Sequence, residues 1–258
     1  MSTGTYAPKP GAAPVGRMIA AQTALETRML LRNGEQLLLT VIIPSLLLVL
    51  FSTVDIIDIT GTGSDRAVDF LAPGILALAV MSTAFTGQAI ATGFERRYGV
   101  LKRLGASPLP RWALMTAKTL SVLVTEVLQI ALLTAIALGL GWSPHGNPLS
   151  VLVLLVLGTA AFSGLGLLMA GTLKAEATLA AANLVFLLLL VGGGVIVPLA
   201  KFPDAARSVL ELLPISALSD GLRAVLQDGA ALPWGDAVTL AVWAVLGLGA
   251  AAKFFRWE

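Results

Sequence analysis

Long apolar stretches constrain this chain more than any other feature of its sequence. A helix that crosses the hydrocarbon core of a bilayer needs about 20 mostly apolar residues, and six stretches meet or approach this length: 37–54, 70–92, 114–140, 149–173, 178–197 and 237–252. Charged residues make up 12% of the 258 positions, against about 25% in soluble domains. The chain therefore has too few charged side chains to cover a surface that faces water. The sequence therefore predicts an all-α membrane protein with six transmembrane helices.

The distribution of Lys and Arg predicts the orientation of these spans. Six spans place both termini on the same side of the membrane, and thirteen of the seventeen basic residues fall on that side. Loops rich in Lys and Arg stay in the cytoplasm. Both termini are therefore predicted to be cytoplasmic, with residues 1–14 as a disordered tail and residues 37–258 as the transmembrane domain.

An amphipathic segment, residues 15–36, precedes the first predicted span. Met18, Leu25 and Met29 fall on one helical stripe of this segment. Arg17 and Arg28 share a different face, which is the pattern of a helix that lies in the membrane interface. We expect an interfacial helix whose Arg side chains reach anionic lipid. The alternative is that the segment is the helical start of the first span.

The connection between the fifth and sixth spans is cut into short pieces by four prolines. Two helices are predicted within it, over residues 204–213 and 216–227, and each is too short to cross a bilayer. The second has an apolar stripe, with Asp220 and Arg223 on other faces. The stripe consists of Ile215, Leu218, Leu222 and Val225. We expect both helices to lie on, or dip into, the outer leaflet.

Polar residues inside the predicted spans are candidates for function because their burial in lipid is costly. Glu126 and Gln129 lie three positions apart on one face of the third span. Glu126 fits two roles: it lines a pathway for substrate or protons, or it is a hydrogen-bonded residue at a helix or subunit interface. Gln88 and Asn183 are expected to brace contacts between helices.

Small residues recur in the fourth span, at Gly158, Ala160, Gly164, Gly166 and Gly171. Ala160 and Gly164 have the small-xxx-small spacing that lets two helices approach closely. We expect these positions to serve helix packing. A glycine run, residues 192–194, is expected to end the fifth span, with a hinge as the alternative.

Several kinds of chemistry lack their motifs in this sequence. A Walker-type phosphate loop, G-x-S-x-G and H-E-x-x-H are all absent. The chain has no cysteine and a single histidine, His145. No catalytic residue, metal site or cofactor is therefore predicted in this chain, and no nucleic-acid partner is expected. An intramembrane enzyme built around Glu126 is kept as an alternative.

A basic stretch, GFERRYGVLKRLGASPLPR at residues 93–111, follows the second span. On an ideal helix Phe94, Tyr98 and Leu101 share one stripe, and the charges lie around the other side. The helix is expected to end near Gly105, because Ser107-Pro108 favours extended backbone. Basic charge alone would serve orientation and lipid binding, whereas an apolar stripe beside it also favours docking on a cytoplasmic partner.

Three features occur together in this sequence: the interfacial helix, the ERRYGVLKRLGASP loop after the second span, and VPLAKFP at residues 197–203. This combination resembles the ABC type-2 exporter permeases, which include drug-resistance permeases, over about Val15 to the C-terminus. The resemblance implies a permease dimer, homomeric or heteromeric, that works with two separate ATP-binding cassette ATPase subunits. These partners would bind ATP and Mg²⁺.

The same resemblance makes the loop after the second span similar in position to the coupling helix that contacts the ATPase. The coupling residues that it implies are Glu95, Arg96, Arg97, Gly99, Lys102 and Arg103. The implied function is export of an amphiphilic drug, lipid or lipid-linked glycan across the bacterial plasma membrane, with the outer helices capping the path. A proton-coupled secondary transporter using Glu126 is a further alternative.

Overall fold

The computed structural model describes residues 11–54 and 66–255 of the chain. Across these two ranges the backbone forms α-helices, one π-helical segment and one 3₁₀ turn, without a β-strand. The α-helices are α1 (Val15–Arg32), α2 (Gly34–Thr53), α3 (Ala67–Val80), α4 (Gln88–Arg97), α5 (Val100–Gly105), α6 (Arg111–Gly139), α7 (Pro148–Thr172), α8 (Ala175–Gly192), α9 (Asp204–Leu210), α10 (Pro214–Leu226) and α11 (Trp234–Phe254). The π-helical segment, Met81–Gly87, joins α3 to α4, and the 3₁₀ turn is Leu199–Lys201.

Five helical segments among the described residues are long and apolar enough to cross a membrane. They are Ala67–Arg97, Trp112–Gly139, Pro148–Thr172, Ala175–Gly192 and Trp234–Phe254. These five correspond to the predicted second to sixth spans. Helix α2 lies at the predicted first span, and its apolar part, Thr40–Thr53, is shorter than the other five. The described residues thus support five spans directly, where six are predicted.

Helix α1 is a separate element and not the start of the first span. Asn33 leaves helical geometry, with φ −83° and ψ 84°, between α1 and α2. Leu25 and Met29 of the predicted apolar stripe are 51% and 55% exposed, as expected for a face that meets lipid. Another face buries Glu26, and α1 packs along α6. The helix is therefore attached to the bundle as well as amphipathic.

Helix α3 forms the centre of the bundle. Each of its residues from Phe70 to Val80 is buried, because α2, α6, α7 and α10 pack around it. A helix that is apolar on all sides is expected in such an enclosed position. Since α3 continues through the π-helical segment into α4, the second span runs from the core of the bundle to the end that carries Arg96 and Arg97.

The two predicted outer helices are present as α9 and α10, and they differ in burial. No residue of α9 is buried. In α10 the predicted apolar stripe is confirmed, because Ile215, Leu218, Leu222 and Val225 are all fully buried. Helix α10 packs against α3, α7 and α11. It therefore dips into the bundle, whereas α9 lies on its surface.

Several boundaries differ from the predictions. Helix α4 continues to Arg97, beyond the predicted end of the second span at residue 92. The last span is longer than predicted and covers Trp234–Phe254. The fifth span ends at Gly192, and Gly194 has φ +68°, a conformation that glycine adopts without strain. The glycine run thus ends the helix, as expected. Most of the predicted tail, residues 1–14, lies outside the described residues.

Close packing around α7 depends on its glycines, as predicted. A Cβ atom added to Gly164 would lie 2.5 Å from the backbone nitrogen of Leu248 in α11. At Gly166 the added atom would lie 2.8 Å from the carbonyl oxygen of Phe85 in the π-helical segment. Gly158 lies equally close to a leucine of α10. These glycines let the backbones of α11 and the π-helical segment, and a side chain of α10, approach α7 closely.

Candidate functional site

We call the end of the bundle where α4, α5 and the start of α8 meet the basic end. It carries Arg96, Arg97, Lys102, Arg103 and Lys174. Helix α1 and the end of α11 lie there too, since they contact the first turns of α6 and the buried side of α5. The predicted coupling residues and both ends of the described chain are therefore on one side of the molecule.

Tyr98 and Gly99 break the predicted coupling helix in two. Gly99 has φ +69°, in the left-handed region that favours glycine, and α5 begins at the next residue. The prediction of one helix over residues 93–105 is therefore wrong. Its first part is the last turn of α4 and its second part is α5. The rings of Phe94 and Tyr98 stack with centroids 6.2 Å apart, but Leu101 does not continue their stripe, because it points into the bundle.

Helix α5 rests on three spanning helices through Leu101. This side chain is fully buried in a small apolar cluster, the Leu101 cluster. Its other members come from α6, α7, α11 and the residue that follows α11, and are Leu114, Met115, Leu167, Ala251 and Phe255. Tyr98, in the turn before α5, is 66% exposed. A surface turn is thus firmly attached to the ends of three spans.

Arg96 and Arg97 connect the second span to its neighbours. Arg96 donates a hydrogen bond to the carbonyl oxygen of Leu173, just after α7. Arg97 forms an ion pair with Glu176 in the first turn of α8, where the helix dipole favours a carboxylate. Both guanidinium groups therefore make contacts within this chain, at the junction of α4, α7 and α8.

Glu95 is buried in an ion cluster that we call the ion triad: Glu26, Lys118 and Glu95. The Lys118 Nζ atom lies 2.6 Å from Glu95 Oε2 and 3.1 Å from Glu26 Oε1. Gln22 donates a further hydrogen bond to Glu26 Oε1 at 2.8 Å. All three charged side chains are largely buried. The triad ties α1, α4 and α6 together at the basic end.

The six predicted coupling residues therefore differ in what they do. Glu95, Arg96 and Arg97 hold helices of this chain together, and Gly99 makes the turn. Lys102 and Arg103 are exposed on α5, so these two present charge at the surface of the predicted coupling loop.

Sequence reasoning missed the ion triad. Lys118 was counted only among the basic residues that predict the orientation of the spans, and Glu26 was not singled out. Two signals were available. Glu26 is the one acidic residue of α1, and Lys118 lies inside the predicted third span, where a charge is expected to have a partner.

A cavity of about 130 Å³ adjoins the ion triad and is lined by Gln88 and Thr92. Gln88 is 6% exposed, and neither of its amide atoms has a hydrogen-bond partner among the described residues. The buried Thr92 hydroxyl also has no hydrogen-bond partner among the described residues. Gln88 was predicted to brace a contact between helices. In the structure it lines a polar cavity instead. A cavity of this size and polarity has room for water.

Glu126 and Gln129 serve two different helix contacts. Buried Glu126 accepts a hydrogen bond from the hydroxyl of Thr159 in α7. Gln129 accepts one from Thr83 Oγ1 at 2.9 Å and donates one to the carbonyl oxygen of Thr40 in α2 at 2.5 Å. The two residues do not form one shared site. Glu126 lies at an interface between two helices of the same chain.

A groove of about 620 Å³ is bounded by α2, α3, the π-helical segment, α4 and α8. Its walls are mainly apolar, and hydroxyl and amide groups are interspersed at Thr40, Ser82, Thr86 and Asn183. Asn183 donates to the carbonyl oxygen of Leu179 in its own helix at 2.9 Å and is exposed. It therefore lines the groove and makes no brace between helices of this chain. A π-helical segment in the wall is notable because such segments are frequent at functional sites.

Arg223 holds α10 in place at the opposite end of the bundle. It donates to the carbonyl oxygens of Val195 at 2.9 Å and Phe70 at 3.3 Å, and pairs with Asp220 at 3.0 Å. Its guanidinium carbon lies 3.9 Å from the centre of the Phe70 ring. Burial raises the pKa of Asp220, although the charge of Arg223 opposes this effect. Arg223 lies off the apolar stripe, as predicted, and it is buried all the same.

Comparison with known proteins gives the family. A family model described as ABC-2 type transporter matches residues 19–226, from α1 to the last residue of α10. The chain is also similar to "Putative transport permease YvfS" of Bacillus subtilis (strain 168), with 25% identity over 215 residues that cover 82% of this chain and 86% of that protein. The family match includes the α4–α5 turn, the ion triad and the groove. The chain belongs to the ABC-2 type transporter family and is a multi-pass membrane protein.

Proposed function

We propose that this chain is the membrane-spanning permease subunit of an ATP-driven exporter, and that a separate ABC ATPase chain hydrolyses the ATP. Its family and its similarity to a protein described as a transport permease support this role. The observation that carries the proposal is the attachment of α5. A surface turn with exposed cations rests, through Leu101, on the ends of α6, α7 and α11. A partner that pushes on this turn reaches three spanning helices at once.

In this proposal the basic end faces the cytoplasm of a bacterial cell, and the chain lies in the plasma membrane. The retention of Lys and Arg on the cytoplasmic side supports this orientation. Both termini are then cytoplasmic, since α1 and the end of α11 lie at the basic end. The opposite end, with α9 and Arg223, faces outward.

Movement of the α4–α5 turn by the ATPase is transmitted into the bundle through two sets of contacts. One runs from α5 through the Leu101 cluster into α6, α7 and α11. The other runs along α4, where Arg97 pairs with Glu176 of α8 and Arg96 bonds to the end of α7. Packed helices shift between discrete arrangements when pushed. Because α4 and α8 also bound the 620 Å³ groove, such a shift changes the shape of the groove.

The groove supports an amphiphilic substrate, such as a drug, a lipid or a lipid-linked glycan, because its walls are apolar with a few polar groups. Multidrug efflux is one form of this activity. Helix α8, which bounds the groove, also has a strongly exposed apolar face. It consists of Leu184, Leu187, Leu188 and Val191. We place a second permease subunit, identical or related, on this side, and α10 caps the path at the outer end.

Charge reversal on α5 tests the proposal. In Lys102→Glu/Arg103→Glu the amount of ATPase chain that co-purifies with the tagged protein should fall, and so should ATP-driven export of a fluorescent amphiphile. Arg96 and Arg97 are left unchanged, because reversal there would also break contacts within the bundle. The control is Lys102→Arg/Arg103→Lys, which keeps both charges. Export that needs a proton gradient and no ATP would contradict the proposal and favour a secondary transporter.

A further inference from the structure

We propose that a groove between α1 and α6 binds an anionic phospholipid. This α1–α6 groove has a volume of about 950 Å³ and lies on a different face of the bundle from the 620 Å³ groove. Its lining includes Thr27, Arg28 and Arg32 from α1. The site is additional to the transport function and does not depend on it.

The apolar wall of the groove is part of a spanning helix. Leu120, Leu123 and Val124 of α6 line it at positions i, i+3 and i+4, which share one helix face. Ile19 and Leu31 of α1 complete this wall. Since the α6 segment lies within the span Trp112–Gly139, the wall is suited to an acyl chain.

The charge in the groove has one sign. Arg28 and Arg32 are its charged lining residues, and both are exposed. Helix α1 has one acidic residue, Glu26, and its carboxylate faces Lys118 in the ion triad. Among the lining residues that the structure describes, no acidic side chain offsets the two guanidinium groups. Arginine binds phosphate oxygens through two parallel hydrogen bonds, so the charge matches a phosphate headgroup.

The two arginines also lie at the depth where a headgroup is expected. Arg32 ends α1 and precedes by two positions the first residue of α2, Gly34. Basic residues directly beside a membrane helix attract anionic lipids. One turn before Leu31, the Thr27 hydroxyl lines the same groove, is buried and has no hydrogen-bond partner among the described residues. It is a further group able to donate to a phosphate or ester oxygen.

A free phosphate ion would satisfy the arginines but leave the apolar wall uncovered. A zwitterionic phospholipid would cover the wall and offer a phosphate, but its own ammonium group would oppose the two guanidinium charges. An anionic phospholipid satisfies the two parts together, with the phosphate at Arg28 and Arg32 and an acyl chain along Leu120 and Val124. This distinguishes the site from the general attraction of a basic helix to a membrane surface.

Thermal unfolding of the purified chain in phosphatidylcholine nanodiscs tests the site, with phosphatidylglycerol added in steps. We expect the unfolding temperature to rise and saturate as phosphatidylglycerol increases. In Arg28→Gln/Arg32→Gln the apparent affinity for phosphatidylglycerol should fall roughly 25-fold, from about fivefold for each arginine. The control is Arg17→Gln, which removes an exposed arginine of α1 that does not line the groove. It should behave like the unchanged chain.

A second variant tests the wall without changing charge. Val124→Trp fills part of the groove at an exposed position, and it should remove most of the stabilisation by phosphatidylglycerol. Inorganic phosphate should stabilise none of the variants. The proposal is overturned if Arg17→Gln loses as much as the double variant, because surface potential alone then explains the effect. It is also overturned if Val124→Trp keeps the full response.

Discussion

The ammonium nitrogen of Lys118 lies 2.6 Å from the Oε2 atom of Glu95, in a largely buried site that joins α6 to α4. Glu26 brings α1 to the same ammonium group at 3.1 Å. Removing one partner of a buried ion pair is strongly destabilising, because the other charge is left uncompensated. The ion triad therefore fixes three helices relative to one another, directly beside the turn on which we propose that the ATPase pushes.

Removal of the positive charge of Lys118 should lower the free energy of unfolding. In Lys118→Met two carboxylates stay buried without their counter-charge, and we expect a loss of about 3–5 kcal/mol of stability. Thermal unfolding of the detergent-solubilised protein measures it. The triple variant Glu26→Gln/Glu95→Gln/Lys118→Met removes all three charges and should recover most of the loss. A triple variant that unfolds at the same temperature as Lys118→Met would show that uncompensated charge is not the cause.

The approach of α7 to α11 should not tolerate even one methyl group at Gly164. Gly164→Ala places Cβ 2.5 Å from the backbone nitrogen of Leu248, so the helices must separate and the unfolding temperature should fall. Gly249→Ala is the matched control in α11, because nothing lies within 4 Å of its added Cβ. There the better helix propensity of alanine should raise stability by up to about 1 kcal/mol. Equal effects at both positions would contradict the packing assigned to Gly164.

Arg223 should be essential for the docking of α10. Arg223→Gln leaves the carbonyl oxygens of Val195 and Phe70 without their donor, and we expect a loss of about 2–4 kcal/mol in thermal unfolding experiments. Arg223→Lys keeps the charge beside Asp220 but not the forked geometry, so its effect should be intermediate. Arg207→Gln breaks the exposed pair with Glu211 and should hardly change the unfolding temperature. An unaffected Arg223→Gln protein would argue against the role of Arg223 in holding α10 in place.

Glu126 is predicted to stabilise the contact between α6 and α7 and not to carry protons. Glu126→Gln keeps a carbonyl oxygen that can accept the hydrogen bond from Thr159, so ATP-dependent export should persist. Thr159→Val removes the donor and should lower stability by about 0.5–1.5 kcal/mol. Export by wild-type vesicles should also survive collapse of the proton gradient. If Glu126→Gln abolished export, a transport role for this carboxyl group would be favoured.

Much of the helical architecture could be predicted from sequence because apolar length and proline placement are local signals. The buried face of α10 was predicted correctly from its apolar stripe, which consists of Ile215, Leu218, Leu222 and Val225. The close contacts of α7 were predicted from its small residues. The break at Gly99 was missed, because the helical stripe through Phe94, Tyr98 and Leu101 continued formally across it. A glycine followed by a β-branched valine was the available hint.

The roles of the candidate site residues were harder to predict, because they depend on which helices meet. Glu95 is close in sequence to Arg96 and Arg97, yet it pairs with Lys118, 23 positions away. Arg97 pairs with Glu176, which is 79 positions away. The distribution of Lys and Arg along the chain predicted that these basic residues lie on one side of the membrane. Three-dimensional packing then decided that they hold the bundle together, while Lys102 and Arg103 are left on its surface.

We propose that a separate ATPase contacts this chain at the α4–α5 turn. Because the chain has no cysteine, Arg103→Cys provides one attachment point for a benzophenone maleimide, and Arg207→Cys provides a matched point on α9 at the opposite end. After illumination of native membranes, we predict a cross-link between the Arg103→Cys protein and an ATP-binding chain, changed in yield by ATP, and none from Arg207→Cys. A cross-link to the ATP-binding chain from Arg207→Cys, with none from Arg103→Cys, would show that the ATPase does not bind at the α4–α5 turn.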